Sequence, residues 1–235
     1  IHKVKKVNIE YDKNLELDLK KLKKNITKNI SAIFLANPNS PTGTIINKNE
    51  LIEILTCANK FNIPVILDEA YYGFYKHSFI KYIKDFGNLI ILRTFSKSFG
   101  LAGLRAGYII SNKKIINELD KFKPMYEINS IACSILEVLL KKPNIVENYV
   151  ASVNRGKIFF EKKLKILKIN YLPTYANFIH IDLGSKKKMI EKSLYNKKIL
   201  TRKGPGVKGL ENYLRITLGP IDKLKKVLKV LNKFF

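Results

Sequence analysis

The chain has 235 residues, enough for one large domain or for a larger and a smaller one. Hydrophobic residues make up 46% of it, which excludes a disordered protein, and no apolar run approaches the ~18–20 residues of a membrane span. The formal charge of +25 invites a nucleic-acid partner, but the lysines are spread in ones and twos along the whole chain, beside abundant Ile and Asn and no Trp. That pattern reads as solvated lysine faces, so neither a nucleic acid nor a membrane is expected as partner. The arginines are Arg93, Arg105, Arg155, Arg202 and Arg215, and such scarcity places each where a planar bidentate fork is wanted. Cys57 and Cys133 stand singly in helical pattern without CxxC spacing, and no signal-peptide pattern opens the chain. They read as reduced core thiols of a cytoplasmic protein.

In chain order, Val4 to Tyr11 reads as a strand followed by a loop. Ser31 to Ala36 (SAIFLA) is a continuous apolar run, expected as a buried parallel strand, and it leads into the turn-rich NPNSPTG of Asn37 to Gly43. Asn47 caps a helix to about Phe61, with Leu51, Ile54, Leu55 and Ala58 at helical spacing. Pro64 to Leu67 and Asn88 to Leu92 are two further buried strands, the first ending at Asp68-Glu69-Ala70-Tyr71 and the second at Arg93-Thr94-Phe95-Ser96-Lys97. Ala106 to Ile110 is a fourth, short strand. This order implies an α/β fold with a mostly parallel, mixed sheet sandwiched by helices, whose ligands sit beyond the carboxyl ends of the strands.

Helices are expected from Lys113 to Leu167, broken at Pro124 and Pro143, with Asn144 to Leu167 as a long connecting helix. After it come strands at Asn177 to Leu183, Lys198 to Thr201 and Tyr213 to Leu218, a helix over Lys186 to Asn196, and a last amphipathic helix from Pro220 to Phe235. Two domains follow: a large one over 1–143 and a small C-terminal α+β one over 144–235. His2, His77 and His180 show no ligand spacing, so no metal site is expected, and His180 reads as a partly buried strand residue.

The segment Ser96-Lys97-Ser98-Phe99-Gly100-Leu101-Ala102-Gly103-Leu104-Arg105-Ala106-Gly107 resembles the cofactor-lysine motif S-K-x-x-G-L-x-G-x-R-x-G of fold type I pyridoxal-phosphate enzymes. Asn39 to Gly43 is similar to that family's N-P-T-G turn, Asp68 to Tyr71 to its D-x-x-Y, and Arg215 to its late R-[IV]-[ST]. Four motifs in order over most of the chain point to the class I/II aminotransferases, with the histidinol-phosphate aminotransferase branch most similar. The resemblance implies pyridoxal 5'-phosphate as cofactor and Lys97 as the residue that carries it and later moves a proton. It implies Asp68 as the carboxylate on the pyridine nitrogen and Tyr71 as the hydroxyl on the phenolic oxygen. Thr94, Ser96 and Arg105 take the phosphate, Arg215 the substrate α-carboxylate, and Arg202 a distal phosphate. Arg93 reads as structural, and Tyr72 and Tyr75 as core aromatics.

Two departures accompany the resemblance. The asparagine that opens the N-P-T-G turn is Ser40 here, whose hydroxyl can still donate but reaches less far. The family also has, before the position of Ile1, a Gly-rich phosphate loop, an aromatic that stacks on the ring and a dimer-forming arm, so the chain reads as N-terminally truncated and weak or inactive alone. The implied reaction is amino transfer between a phosphorylated amino substrate such as histidinol phosphate and a 2-oxo acid such as 2-oxoglutarate, in a homodimer. A decarboxylase of a threonine-phosphate type substrate and a non-catalytic remnant are the alternatives.

Overall fold

A computed structural model describes residues 4–235. The first half is built on a four-stranded sheet in the order β1-β2-β3-β4, formed by Ile33–Ala36 (β1), Val65–Asp68 (β2), Leu89–Thr94 (β3) and Gly107–Ile110 (β4). The first three strands run parallel and β4 returns antiparallel to β3. Helix α1 (Leu19–Asn25) was not legible in the sequence. Helix α2 (Lys48–Asn59) begins at Asn47, whose side chain accepts from the Glu50 amide while Glu50 reaches back to the Asn47 amide, a closed capping box. The two helices cover one face of the sheet through a core of Leu22, Leu51, Ile54, Leu55, Leu67 and Ile91. Phe34, on the opposite face, is 75% exposed.

Helices α3 (Lys113–Asp120), α4 (Ser130–Leu140) and α5 (Pro143–Ile166) follow. Pro143 divides α4 from α5 as expected and itself opens α5, one residue before the expected start, because a missing N–H costs nothing in the first turn. A second sheet has the order β5-β6-β8-β7 and is antiparallel throughout, from Tyr171–Leu172 (β5), Phe178–Asp182 (β6), Arg202–Lys203 (β7) and Tyr213–Thr217 (β8). Helices α6 (Lys187–Asn196) and α7 (Ile221–Leu231) complete this half.

The pleat of the second sheet sorts its residues by parity. Ile179, Ile181, Leu214 and Ile216 face a dry core with Phe160 and Leu164 of α5, Ile190 of α6 and Leu224 and Leu231 of α7. Full burial of such side chains contributes about 1.5–3 kcal/mol each before entropy is counted. The opposite parity leaves Phe178, His180, Arg215 and Arg202 on the other face, so the same strands hold the core and present the polar row.

Three local expectations fail. Val4 to Tyr11 forms no strand beyond a single bridge from Tyr11 to Leu17, since among the described residues no strand lies alongside to take its backbone hydrogen bonds. Lys198 to Thr201 is not a strand either. Lys198 takes a left-handed φ of 58° as α6 ends, with its amide bonded to the Tyr195 carbonyl and that of Ile199 to Leu194, so the chain is still unwinding from the helix. Pairing begins only at Arg202. Cys133 is exposed and Cys57 half-buried, so the core-thiol reading holds for neither in full; α4 buries only Ala132 and Leu136.

Gly156 of α5 lies so close to the loop before α7 that a Cβ there would run into the Gly219 carbonyl oxygen. Gly156→Ala is expected to lower stability by about 1–3 kcal/mol, the usual cost of overpacking. Urea unfolding would register this as a lower midpoint at unchanged slope.

Candidate functional site

Parallel registry places the carboxyl ends of β1, β2 and β3 side by side. Ala36 lies opposite Asp68 and Asp68 opposite Leu92, and the Asn37 amide donates to the Asp68 carbonyl. The residues that leave these ends therefore share one edge: the turn of residues 37–44, the stretch Asp68–Tyr71, and the loop Thr94–Lys97.

Adjacent residues at the end of β2 have opposite fates. Glu69 is buried and saturated: it accepts from Arg93 Nε at 3.0 Å and Nη2 at 2.9 Å, from Ser78 Oγ at 2.8 Å and from the Phe79 amide at 2.8 Å. The Arg93 guanidinium in turn stacks 3.5 Å from the ring centroid of Tyr72, which is 39% exposed and so is not the core aromatic expected. Asp68, its neighbour, accepts one hydrogen bond among the described residues, from the Ala70 amide at 2.8 Å. Burial pushes the Asp68 carboxyl above the usual carboxylate range, with the Ala70 amide and the charge of Lys97 pulling the other way. This is a desolvated carboxylate with acceptor capacity to spare.

Lys97 Nζ lies 5.6 Å from the ring centroid of the buried Tyr71. The two loops are pressed together nearby, where Gly73 at φ 105° leaves no room for a Cβ against Ser98. Thr94 Oγ1 is 2.9 Å from Ser96 Oγ and accepts the Ser96 amide at 3.0 Å, so the two hydroxyls form one polar corner. Arg105 follows at a left-handed φ of 54°, a strained backbone for a residue with a Cβ, and its exposed guanidinium donates to the Ala102 carbonyl.

The two halves meet through aromatic rings. Tyr71 and Phe178 are T-shaped at 5.7 Å, and the Arg215 guanidinium stands 4.8 Å from the Phe178 centroid. A continuous path Lys97–Tyr71–Phe178–Arg215 thus joins the end of β3 to the middle of β8. Along the second sheet, Leu172, His180, Arg215 and Arg202 form one row across all four strands. Arg202 and Arg215 are direct cross-strand partners, a like-charge pairing that is unfavourable unless an anion lies between them. Ser40 is exposed at the turn, on the wall of a cleft of about 640 Å³ that Tyr11, Asn39, Pro205 and Val207 also line.

Comparison with known proteins fits this arrangement. The family model for aminotransferase class I and II matches residues 1–231. The chain belongs to this family. It is 37% identical over 239 residues to the histidinol-phosphate aminotransferase of Buchnera aphidicola subsp. Cinara cedri, covering 99% of the chain and 66% of the relative. Its identity to the enzyme of that name from Caldanaerobacter subterraneus is 37% over 201 residues, with coverage of 86% and 56%. The chain therefore spans between about half and two thirds of the length of these relatives. Among solved structures, the histidinol-phosphate aminotransferase from Clostridium acetobutylicum superposes with a TM-score of 0.87 at 27% identity, over 97% of this chain and 70% of that one. The L-threonine-O-3-phosphate decarboxylase from Porphyromonas gingivalis gives 0.72 at 26% identity, over 86% and 63%.

Within this class I and II frame, the motif residues Asp68, Tyr71 and Lys97 gather at the strand ends, Thr94 and Ser96 form the adjoining corner, and Arg215 faces them from the second sheet. Arg202 is exposed next to Arg215, and Arg105 is exposed with its guanidinium on the Ala102 carbonyl. Sequence reasoning missed Phe178, an unremarked apolar residue of β6, and misjudged His180, which is fully buried. Only the parity of β6, which aligns both with Arg215, could have pointed to them.

His180 has its imidazole held below the ordinary value of about 6.5, first by burial and further by the Arg215 charge, against the hydrogen bond to the Pro41 carbonyl. The unfolded chain then takes up this proton at a higher pH than the folded one. The resulting stability is complete above about pH 6.5 and is lost as pH falls from there through the folded value. His180→Gln is expected to remove that part of the slope. Urea stabilities of both proteins between about pH 5 and 8 would show the wild type losing stability relative to the glutamine variant toward acid; a constant difference would refute it.

Proposed function

We propose that the protein transfers an amino group between a phosphorylated amino substrate, of the histidinol phosphate kind, and a 2-oxo acid such as 2-oxoglutarate, with pyridoxal 5'-phosphate held at the ends of β1 to β3. The observation that carries this reading is the path Lys97–Tyr71–Phe178–Arg215. It sets a lysine amine, a tyrosine hydroxyl and a guanidinium within reach of one small molecule.

The residues present fit the cofactor. When bound, pyridoxal 5'-phosphate supplies a carbonyl that an amine can attack and a ring that draws electrons from the substrate α-carbon. The Asp68 carboxylate, desolvated and short of donors, suits the protonated ring nitrogen, and Tyr71 and Ser40 offer hydroxyls for the phenolic oxygen. The Thr94–Ser96 corner and Arg105 offer two hydroxyls and a fork for the phosphate. Lys97 is the amine that holds the group and, once free, carries a proton at the substrate α-carbon. Arg215 binds the α-carboxylate, and Arg202 beside it binds the distal phosphate, which relieves the like-charge pairing across β7 and β8.

The functional form in this proposal is a cytoplasmic homodimer, with the small domain over 144–235 closing on the substrate. Phe122, Met125, Tyr126 and Ile131 are each at least 67% exposed, the kind of apolar surface an interface covers. A second reading, a decarboxylase of a phosphorylated amino acid, is favoured by the likeness to the threonine-phosphate enzyme. Carbon dioxide release would identify it; a 2-oxoglutarate-dependent production of glutamate would identify amino transfer.

Cofactor binding is tested by visible absorption with added pyridoxal 5'-phosphate, before and after borohydride treatment. The expected outcome is a visible band and a stable label on Lys97, both lost in Lys97→Ala. The measurement is run on the chain and on a fusion carrying the remaining third of the Buchnera relative. Failure of both to label Lys97 would overturn the proposal. Arg202→Ala is expected to raise KM for the phosphorylated substrate by roughly tenfold or more, the effect of losing a charge-assisted hydrogen bond, with little change for an unphosphorylated amino donor.

A further inference from the structure

The turn of residues 37–44 is largely self-contained. Its bonds run from Gly43 N–H to the Asn39 carbonyl, from Asn39 N–H to the Thr44 carbonyl, and from Asn39 Nδ2 to Thr42 Oγ1. The Pro41 carbonyl points out of it. Across a sequence separation of 139 residues, it meets His180 Nε2 at 2.7 Å. A carbonyl only accepts, so Nε2 carries the hydrogen and the neutral ring leaves Nδ1 bare. That Nδ1 is buried with no partner among the described residues. Burying a polar atom unpaired is unfavourable, and an apolar side chain would fill the slot without that cost, as Leu172 does at the adjoining place in the row. Packing alone therefore does not account for a histidine here.

What the ring joins explains it. On one side lies the Ser40–Pro41 end of the turn. On the other, directly opposite His180 in register, lies Arg215. The turn has a further attachment to the second sheet's half, where the Tyr175 amide donates to the Gly43 carbonyl at 2.8 Å and the Gly43 backbone rests on Thr174. Toward the second sheet that contact holds only the Gly43 end, while Asn37 ties the start of the turn to β2 through the Asp68 carbonyl and accepts the Ile46 amide. The His180 bond supplies a second point of attachment to the second sheet.

We propose that His180 is a positioning residue: its Nε2–H holds the Pro41 carbonyl and thereby fixes the turn bearing Ser40 relative to the strand bearing Arg215. The inference rests on the proposed function for its consequence, because these are the residues assigned there to the cofactor's phenolic oxygen and the substrate carboxylate. Its geometric part stands without a cofactor. A neutral ring also leaves the Arg215 charge unopposed and uncompeted, available to an incoming carboxylate.

The test compares His180→Leu, which removes the donor, with His180→Gln, whose amide N–H has a comparable reach. Without any ligand, nitrogen NMR of the wild-type ring is expected to show the neutral form with hydrogen on Nε2. Amide exchange at Gly43 and Thr44 is expected to quicken about tenfold in His180→Leu, the scale of one neutral hydrogen bond, and to return near wild type in His180→Gln. With cofactor and substrate, KM for the amino substrate rises by a similar factor in His180→Leu while kcat changes less than threefold, and glutamine restores KM. A hydrogen on Nδ1, unchanged exchange in a folded His180→Leu, or a glutamine variant no better than leucine would each overturn the proposal. If His180→Leu does not fold, the tautomer and the glutamine variant decide. If wild-type protein captures no pyridoxal 5'-phosphate, the functional reading falls, while tautomer and exchange still judge the latch.

Discussion

The arrangement of the candidate site depends on a buried carboxylate that is neutralised where β2 ends. Glu69 cannot stay buried and charged without compensation, and Arg93 at the end of β3 supplies it, with Ser78 and the Phe79 amide taking the remaining lone pairs. This bond crosses from one strand end to the next. It fixes the course of Asp68–Tyr71 against that of Thr94–Lys97, the two segments that bring a carboxylate, a phenol and an amine together. Alternation does the rest: the residues flanking the ion pair, Asp68 and Thr94, turn to the opposite side and stay available for a ligand.

The same economy of parity operates in the second sheet. Its core face buries Ile179, Ile181, Leu214 and Ile216, and so its other face must carry Phe178, His180, Arg215 and Arg202 in reach of the first sheet's strand ends. A one-residue slip of β8 would exchange the two sets, burying Arg215 in the apolar core and exposing Leu214. The hydrophobic pattern that stabilises this half is therefore also what aims the guanidinium. Phe178 ties the halves together, touching Tyr71 on one side and Arg215 on the other.

Membership in the aminotransferase class I and II family and superposition on a histidinol-phosphate aminotransferase agree with this geometry. Three features of the chain bear on the site. Serine stands at the head of the turn, Arg105 takes a left-handed backbone, and a buried histidine reaches the turn from the second sheet. The last two are visible only as backbone conformation and through-space contact.

By itself, the sequence determined the class of fold and the family, and it named the candidate residues for the chemistry. Apolar runs of four to six residues mark the parallel strands because one face packs against the helices, Asn47 marks a helix start because its side chain caps the first turn, and the S-K-x-x-G-L-x-G-x-R-x-G segment marks the candidate lysine. It misplaced the segments whose conformation is set by neighbours: Val4 to Tyr11 has strand composition but, among the described residues, no partner beyond the Tyr11–Leu17 bridge, and Lys198 to Thr201 is occupied by the exit from α6. Only the tertiary structure decided that Arg202 and Arg215 are cross-strand partners, that Phe178 bridges the halves, and that His180 reaches Pro41. Local propensity acts over a few residues, whereas these contacts join positions 13 to 139 residues apart, and strand register and packing alone set which of them meet.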